Sequence, residues 1–481
     1  MKKFVSLSVL VISIWVVTAQ PRTTVYSTGV GPRDTASATL ADDLENLCNC
    51  DRQFGPPAPV LDPNVLPIDT SLKDNKSCPS GVCQPCFDCY GWQLFLTLSW
   101  PSKPSGEPDP GAYFGKPGSL DKVGWENFAS VNELFGSGKE PPSWAELGKA
   151  SRTIMHTSAV IHQNLTDYKQ ADHNWLTDQD HNLVRFELRV NKDEYEYIVQ
   201  NKLYNQDGLY KAVSTGAGID LPSGKGGGVG AIETKAAWRI VPKDREDYFM
   251  KNYKVAKVKI PPGQDEVLVA LVGLHVIKKT PNSPQWVWAT FEHKDNVPMI
   301  DHPESGKKYN FFNPSAPADY KPNYNAPPGR KSDPRVPVQV VRVNPLPSRT
   351  IAINDAVHAL ISSKYPDSVW KNYNLINVQW PADPVAGRVT KGALPSGRPA
   401  PVVVANSTME TYMQNQNTGG GAGMNAGGAD ANDPGTLPAT NANRGKSSCI
   451  GCHRLSAVTP KFKGKTGSWP TDYSTIFFKA R

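Results

Sequence analysis

Apolar positions along this chain recur with two different periods, and the change of period divides it. Over 87–100 (FDCYGWQLFLTLSW) Trp92, Phe95, Leu96 and Ser99 follow helical spacing until Pro101 stops the run, which predicts a buried helix. Trp125, Phe128, Val131, Leu134 and Phe135 line one face of a second expected helix over 124–135, and Trp144 with Leu147 opens a third. From 183 onward the period shortens. Residues 183–189 read as a strand, and Asn191 with Glu194 caps a helix expected to run to about 205 and end near Gly208. Strands follow at 232–240 (IETKAAWRI), 253–260 (YKVAKVKI), 267–277 (VLVALVGLHVI) and 285–292 (QWVWATFE), rich in Val, Ile and Trp between turn signals. They predict a mostly antiparallel sheet, flat or curled into a sandwich or barrel. A helix over 354–362, with Ala356, Val357, Leu360 and Ile361 inward, precedes a strand over 374–380, and a last helix over 472–480 presents Tyr473, Ile476 and Phe477 on one side.

Between these elements lie polar stretches: a Pro-, Asp- and Cys-rich region over 20–85, a Pro-rich one over 303–347, and a Gly-, Asn- and Ala-rich one over 415–443. The GKGGGVG segment at 224–230 lacks the spacing to a Lys-Ser/Thr pair that a phosphate loop requires, and reads as a flexible loop. No internal repeat at solenoid or propeller period is present. The expected class is α+β. A loop region tied by disulfides spans 20–90, a helical and antiparallel β core spans 91–400, and a small helical segment, with its loop at 415–443, spans 401–481.

Composition adjusts this picture at three points. With 39% hydrophobic and 20% charged residues the 481-residue chain buries a real core, while 43 Pro and 39 Gly exclude a coiled coil or helical bundle. The net charge of +7 is spread along the whole sequence, so it does not predict nucleic-acid binding. At the start, Lys2 and Lys3 precede an apolar run over 4–17 and the small-residue pattern Val17-Thr18-Ala19, which reads as a signal peptide over 1–19 cleaved after Ala19. No later stretch approaches about 20 uninterrupted apolar residues, so no transmembrane span is expected in the mature chain, and none of its cysteines stands near Ala19 to carry a lipid anchor. A periplasmic or secreted protein is expected. In an oxidising compartment Cys48, Cys50, Cys78, Cys83, Cys86 and Cys89 read as three disulfides of open pairing, with a thiolate metal site among the last four as the alternative.

The remaining two cysteines stand in Cys449-Ile450-Gly451-Cys452-His453, the C-x-x-C-H signature of haem c attachment. Two thiols three residues apart on one turn bond both haem vinyl groups, and the adjoining imidazole then faces the iron. An export signal upstream matches the compartment where such attachment occurs. A Cys449–Cys452 disulfide or a zinc site are the competing readings, the latter without a second ligand pair nearby. Only 28 residues follow His453, and they contain neither Met nor His, so any second axial ligand comes from upstream. Met409 is the first candidate and Met413 the second: Ser407 with Glu410 fits a capping box, and the two methionines at i,i+4 would then share a helix face. His275, His293 or an open iron are the alternatives.

Several phrases resemble a family of large exported bacterial proteins described as cytochrome c family proteins. They are WQLFLTLSWP at 92–101, KAAWRI at 235–240, GLHVIKKT at 273–280, WVWATFEHKDNVP at 286–298, NSTMETY at 406–412 and CIGCH at 449–453. The resemblance implies one covalent haem c held by Cys449, Cys452 and His453. Within the most distinctive stretch, Trp286 and Trp288 read as core and His275 and His293 as hydrogen-bonded fillers, with a substrate- or haem-lining role as the alternative; Glu292 and Asp295 are a weaker acid/base pair, ordinarily solvated at strand ends. Lys461, Lys463 and Lys465 are a solvated tail or a steering patch for an acidic redox partner. Three functions follow as expectations: a monohaem electron carrier docking a redox donor or acceptor, a haem-dependent oxidoreductase whose larger part oxidises a small molecule, or a binding module stapled by its haem.

Overall fold

In the computed structural model, which describes residues 40–48, 58–67, 84–147, 175–214, 218–260, 265–300, 303–324, 333–381, 399–400, 404–416, 449–454, 456–460 and 469–480, the expected strands pair into one antiparallel sheet. Its members are β1 (Ala129–Ser130), β2 (Arg185–Val190), β3 (Ile232–Ile240), β4 (Val255–Lys259), β5 (Glu266–Thr280), β6 (Ser283–His293), β7 (Tyr373–Pro381) and β8 (Pro399–Ala400). They lie in the order β1-β2-β3-β5-β6-β7-β8, and β4 pairs with the first part of β5. The fold is therefore mixed helix and sheet, as the apolar periods imply. The helices are α1 (Leu40–Cys48), α2 (Gln84–Leu98), α3 (Val131–Phe135), α4 (Trp144–Leu147), α5 (Lys192–Gln200), α6 (Gln206–Ser214), α7 (Glu246–Asn252), α8 (Ser348–Lys364), α9 (Met413–Gln416) and α10 (Cys449–His453). Beyond α10, the short β9 (Ala457–Val458) pairs with β10 (Trp469–Pro470).

One face of the sheet is covered by α2 and α8. Every residue of α2 is buried, its polar side chains included. Its close approach rests on Gly91, where a Cβ would lie 2.6 Å from Val378 Cγ2. Trp92 packs edge-on against Phe95 and Phe291 and donates to Asn354 Oδ1 at 2.9 Å. Polar groups carried into this layer are partnered: Asp88 accepts from Thr350 Oγ1 at 2.7 Å and Gln84 Nε2 at 2.8 Å, and its burial still pushes the carboxyl up to about 7. A Cys48–Cys89 disulfide ties α1 to α2, and Cys86 is also disulfide-bonded, which removes Cys86 and Cys89 from any thiolate metal site. Cys50, Cys78 and Cys83 lie outside the described residues, as do the expected signal peptide over 1–19 and Lys461, Lys463 and Lys465. Among the described residues no helix is long and apolar enough to cross a membrane.

Outside the 404–416 segment three expected helices depart from expectation, each for a local reason. Across 124–135 a 3-10 turn (Gly124–Asn127) gives way to β1. Ser130 then starts α3 anew: its Oγ accepts from Glu133 N at 3.2 Å while its own N–H donates to Glu133 Oε2 at 2.7 Å. The helix capped by Asn191 ends at Gln200; α6 begins at Gln206 and carries Gly208 inside it, where the Lys202 carbonyl leaves no room for a Cβ. Asp472 and Tyr473 adopt φ of 54° and 69°, so no helix starts there and only a 3-10 turn, Ile476–Lys479, forms. In the loop at 224–230, Val229 N and Gly230 N donate to Asp193 Oδ2 at 2.8 and 3.0 Å, so this backbone nest holds a carboxylate of its own chain.

Candidate functional site

The second face of the sheet carries the C-x-x-C-H turn. α10 lies over β6 and β7, with the Ile450 N–H donating to Gln379 Oε1 of β7 at 2.7 Å and the Ile450 side chain fully buried. It joins Ile277, Trp286, Trp288, Val458, Tyr473 and Phe477 in one apolar cluster. Trp286 and Trp288 are therefore core residues, as read from the sequence, but Trp288 also touches the site: its ring lies 4.5 Å from that of His453.

Downstream, the chain folds back to hold the imidazole. Thr471 N donates to Ser456 O at 3.0 Å, and Ser456 Oγ donates to Ser474 O at 2.8 Å, which anchors the return segment beside α10. The two consecutive left-handed residues then turn the Tyr473 carbonyl onto His453 Nδ1 at 2.7 Å. Asp472 secures that turn from the other side, its carboxylate meeting Lys279 Nζ at 2.6 Å and the Leu221 N–H at 2.7 Å, while its carbonyl accepts from Trp286 Nε1 at 3.0 Å. Burial pushes the Asp472 carboxyl up to about 6 even with Lys279 against it. Such non-glycine positive φ values are uncommon and persist only where the surroundings over-determine them.

Because a carbonyl can only accept, Nδ1 of His453 bears the proton and the lone pair sits on Nε2. Among the described residues Nε2 makes no hydrogen bond. Burial pushes this imidazole down to about 4 against the pull of the Tyr473 carbonyl, so it is neutral, the form that binds a metal. Cys449 and Cys452 are both free and partly exposed on the same turn. Burial pushes both thiols up, and the Glu410 carboxylate near them adds to the effect. The competing disulfide is thus not formed. A backbone carbonyl on one ring nitrogen with the other left free is the arrangement that orients metal-ligating histidines, so these residues fit a haem c.

No protein-family profile, no curated protein and no solved structure matches this chain.

The upstream candidates separate clearly. Residues 407–412 form turns, and α9 begins only at Met413. Asn406 acts as the local cap in place of Ser407: its Oδ1 accepts from Thr408 N at 2.8 Å, while Glu410 Oε2 accepts from Asn406 N at 2.9 Å. Ser407 turns instead to Glu292, donating its N–H to Oε1 at 2.6 Å. Met409 is fully buried among Ala237, Val272, Phe311 and Val340, a cluster separate from the one that holds Ile450. Met413 is nearly as buried.

His293 is stacked on Tyr253 at 3.5 Å, accepts from Asp295 N at 3.2 Å and donates to the Asn252 carbonyl at 3.1 Å, the filler role expected of it. Glu292 and Asp295 are buried, contrary to the solvated placement expected at strand ends. Glu292 pairs with Arg342 at 2.5 Å, and Asp295 accepts from Tyr248 Oη at 2.6 Å. Sequence reading missed Glu410 as a site residue. It meets His275 Nε2 at 3.0 Å, and despite burial that histidine holds the carboxyl below its usual range. The capping-box spacing of Ser407 to Glu410 and the i,i+4 spacing of Met409 to Met413 point to the sulfurs, and only the fold brings strand β5 beneath the carboxylate.

Proposed function

We propose that this protein is an exported monohaem c-type cytochrome, with one haem c bonded to Cys449 and Cys452, His453 as its proximal ligand, and electron transfer to or from a redox protein as its activity. The observation that supports it best is the His453 imidazole, fixed by the Tyr473 carbonyl on Nδ1 with Nε2 free, one residue from a free thiol on the same turn. Bound there, haem c supplies a one-electron ferric/ferrous couple. The chain's own residues do the rest. Tyr473 fixes the tautomer and ring direction of His453, Trp288 packs against the imidazole, and Gln379 pins the motif turn to the sheet. The resemblance of the chain to large exported cytochrome c family proteins fits this reading, as does a disulfide between Cys48 and Cys89 in a protein passing through an oxidising compartment.

Expression with a haem-attachment apparatus tests it. The purified protein is expected to retain haem through denaturing electrophoresis. Cys449→Ser with Cys452→Ser should lose it entirely, and His453→Ala should yield far less holoprotein. Covalent haem that survives the double substitution would refute the assignment.

A further inference from the structure

The sheet register decides which upstream side chain faces the C-x-x-C-H turn. On β5, Ile277 pairs with Trp288, and its side chain belongs to the cluster that holds Ile450. Two residues back, His275 pairs with Thr290 of β6 and Lys235 of β3. Two more back is Gly273, which would place a Cβ 3.3 Å from Met409 Cε. Alternate residues of a strand share a face at roughly 7 Å intervals. His275 thus stands between the motif cluster and Met409, one step from the former. The sulfur of Met409 would have to leave a closed apolar cluster to reach the same place.

His275 is also prepared electronically. Its Nε2 faces Glu410 Oε1, and since a carboxylate can only accept, Nε2 bears a proton; Nδ1 makes no hydrogen bond among the described residues. A carboxylate on one ring nitrogen fixes the other as a ligand and raises its basicity. Glu410 is itself held, by the Asn406 N–H at 2.9 Å.

Resting on the cytochrome reading above, we propose that His275, positioned by Glu410, is the second axial ligand of the haem iron through Nδ1, in place of Met409. The iron then has two imidazole ligands, one from the sheet and one from α10. Two nitrogen ligands hold it low-spin and close the sixth position to exogenous ligands, which favours electron transfer over substrate oxidation at the metal.

The test is spectroscopic, on the full chain carrying its haem. Wild-type protein is expected to be low-spin in both oxidation states, without the near-infrared sulfur-to-iron charge-transfer band. His275→Ala should turn it high-spin, and added imidazole should restore the low-spin spectrum, which separates a lost ligand from a misfolded chain. Met409→Leu should leave the spectrum as it was. Glu410→Gln should keep the low-spin iron but raise its reduction potential, a shift that a purely structural role would not produce. A sulfur-to-iron band lost in Met409→Leu would overturn the proposal, as would a His275→Ala spectrum identical to wild type. Either result would still leave haem on Cys449 and Cys452; a chain that carries no covalent haem there defeats the cytochrome reading itself.

Discussion

Three histidines sit in three different hydrogen-bond settings, and their partners decide what each can do. His453 has a carbonyl on Nδ1 and nothing on Nε2, His275 has a carboxylate on Nε2, and His293 uses both nitrogens within the core. His293 is a buried, fully hydrogen-bonded core residue. Burial pushes it down to about 4, from an unfolded value of 6.5. Below pH 6.5 the unfolded chain binds the proton and the folded one does not, so this group's contribution is complete above pH 6.5 and is lost as the pH falls towards 4. The slope is about 1.4 kcal/mol per pH unit. Denaturant titrations of wild type and His293→Gln should therefore converge on acidification, with wild type losing about 3 kcal/mol more between pH 7 and 4; parallel curves would show that the imidazole is not held neutral. At this scale the turn that groups Cys449, Cys452 and His453 was legible because the three residues share one short local spacing. Glu410 and the Tyr473 carbonyl were not, because a contact across 135 residues and a main-chain acceptor leave no pattern in side-chain identity.

Elements were legible where one apolar period ran unbroken and illegible where a local hydrogen bond intervened. The five strands expected from 232 onward form, and the helix ended by Pro101 forms, because Val, Ile and Trp runs and a proline stop are single-element signals. The expected helix over 124–135 breaks because Ser130 and Glu133 cap each other within its apolar stripe. Sheet order and helix placement came only with the structure, and two glycines mark where they matter. Gly91→Ala would press a methyl group into Val378, separating α2 from the sheet, and should cost about 1–3 kcal/mol in unfolding free energy. Gly273→Ala would put a Cβ 2.2 Å from Thr408 Oγ1 and push the 404–416 segment off β5. In the haem-bearing protein this change should weaken the low-spin spectrum by displacing Glu410 from His275. Unchanged stability and an unchanged spectrum in the respective variants would count against these packing arguments.

At the scale of the molecule, the eight-stranded sheet separates two kinds of surface among the described residues from Leu40 onward. The α2/α8 face is a dense aromatic core, and the opposite face holds the motif, the 404–416 segment and their polar contacts. A disulfide braces the first face: Cys48 and Cys89 close a loop of sequence separation 41, for which loop-closure entropy gives about 4 kcal/mol. Unfolding of Cys48→Ala/Cys89→Ala should start at correspondingly lower denaturant, and an unshifted midpoint would mean that α1 packs equally well without the bond. The α+β class followed from the change of period at 183; the use of the two faces did not, because which side of a strand meets which helix depends on long-range pairing. Covalent haem at Cys449 and Cys452, as proposed, is tested most directly by the mass of the proteolytic peptide that contains both. A gain of one haem on that peptide alone is the predicted result. The unmodified peptide, or one lighter by two hydrogens from a Cys449–Cys452 disulfide, would contradict it.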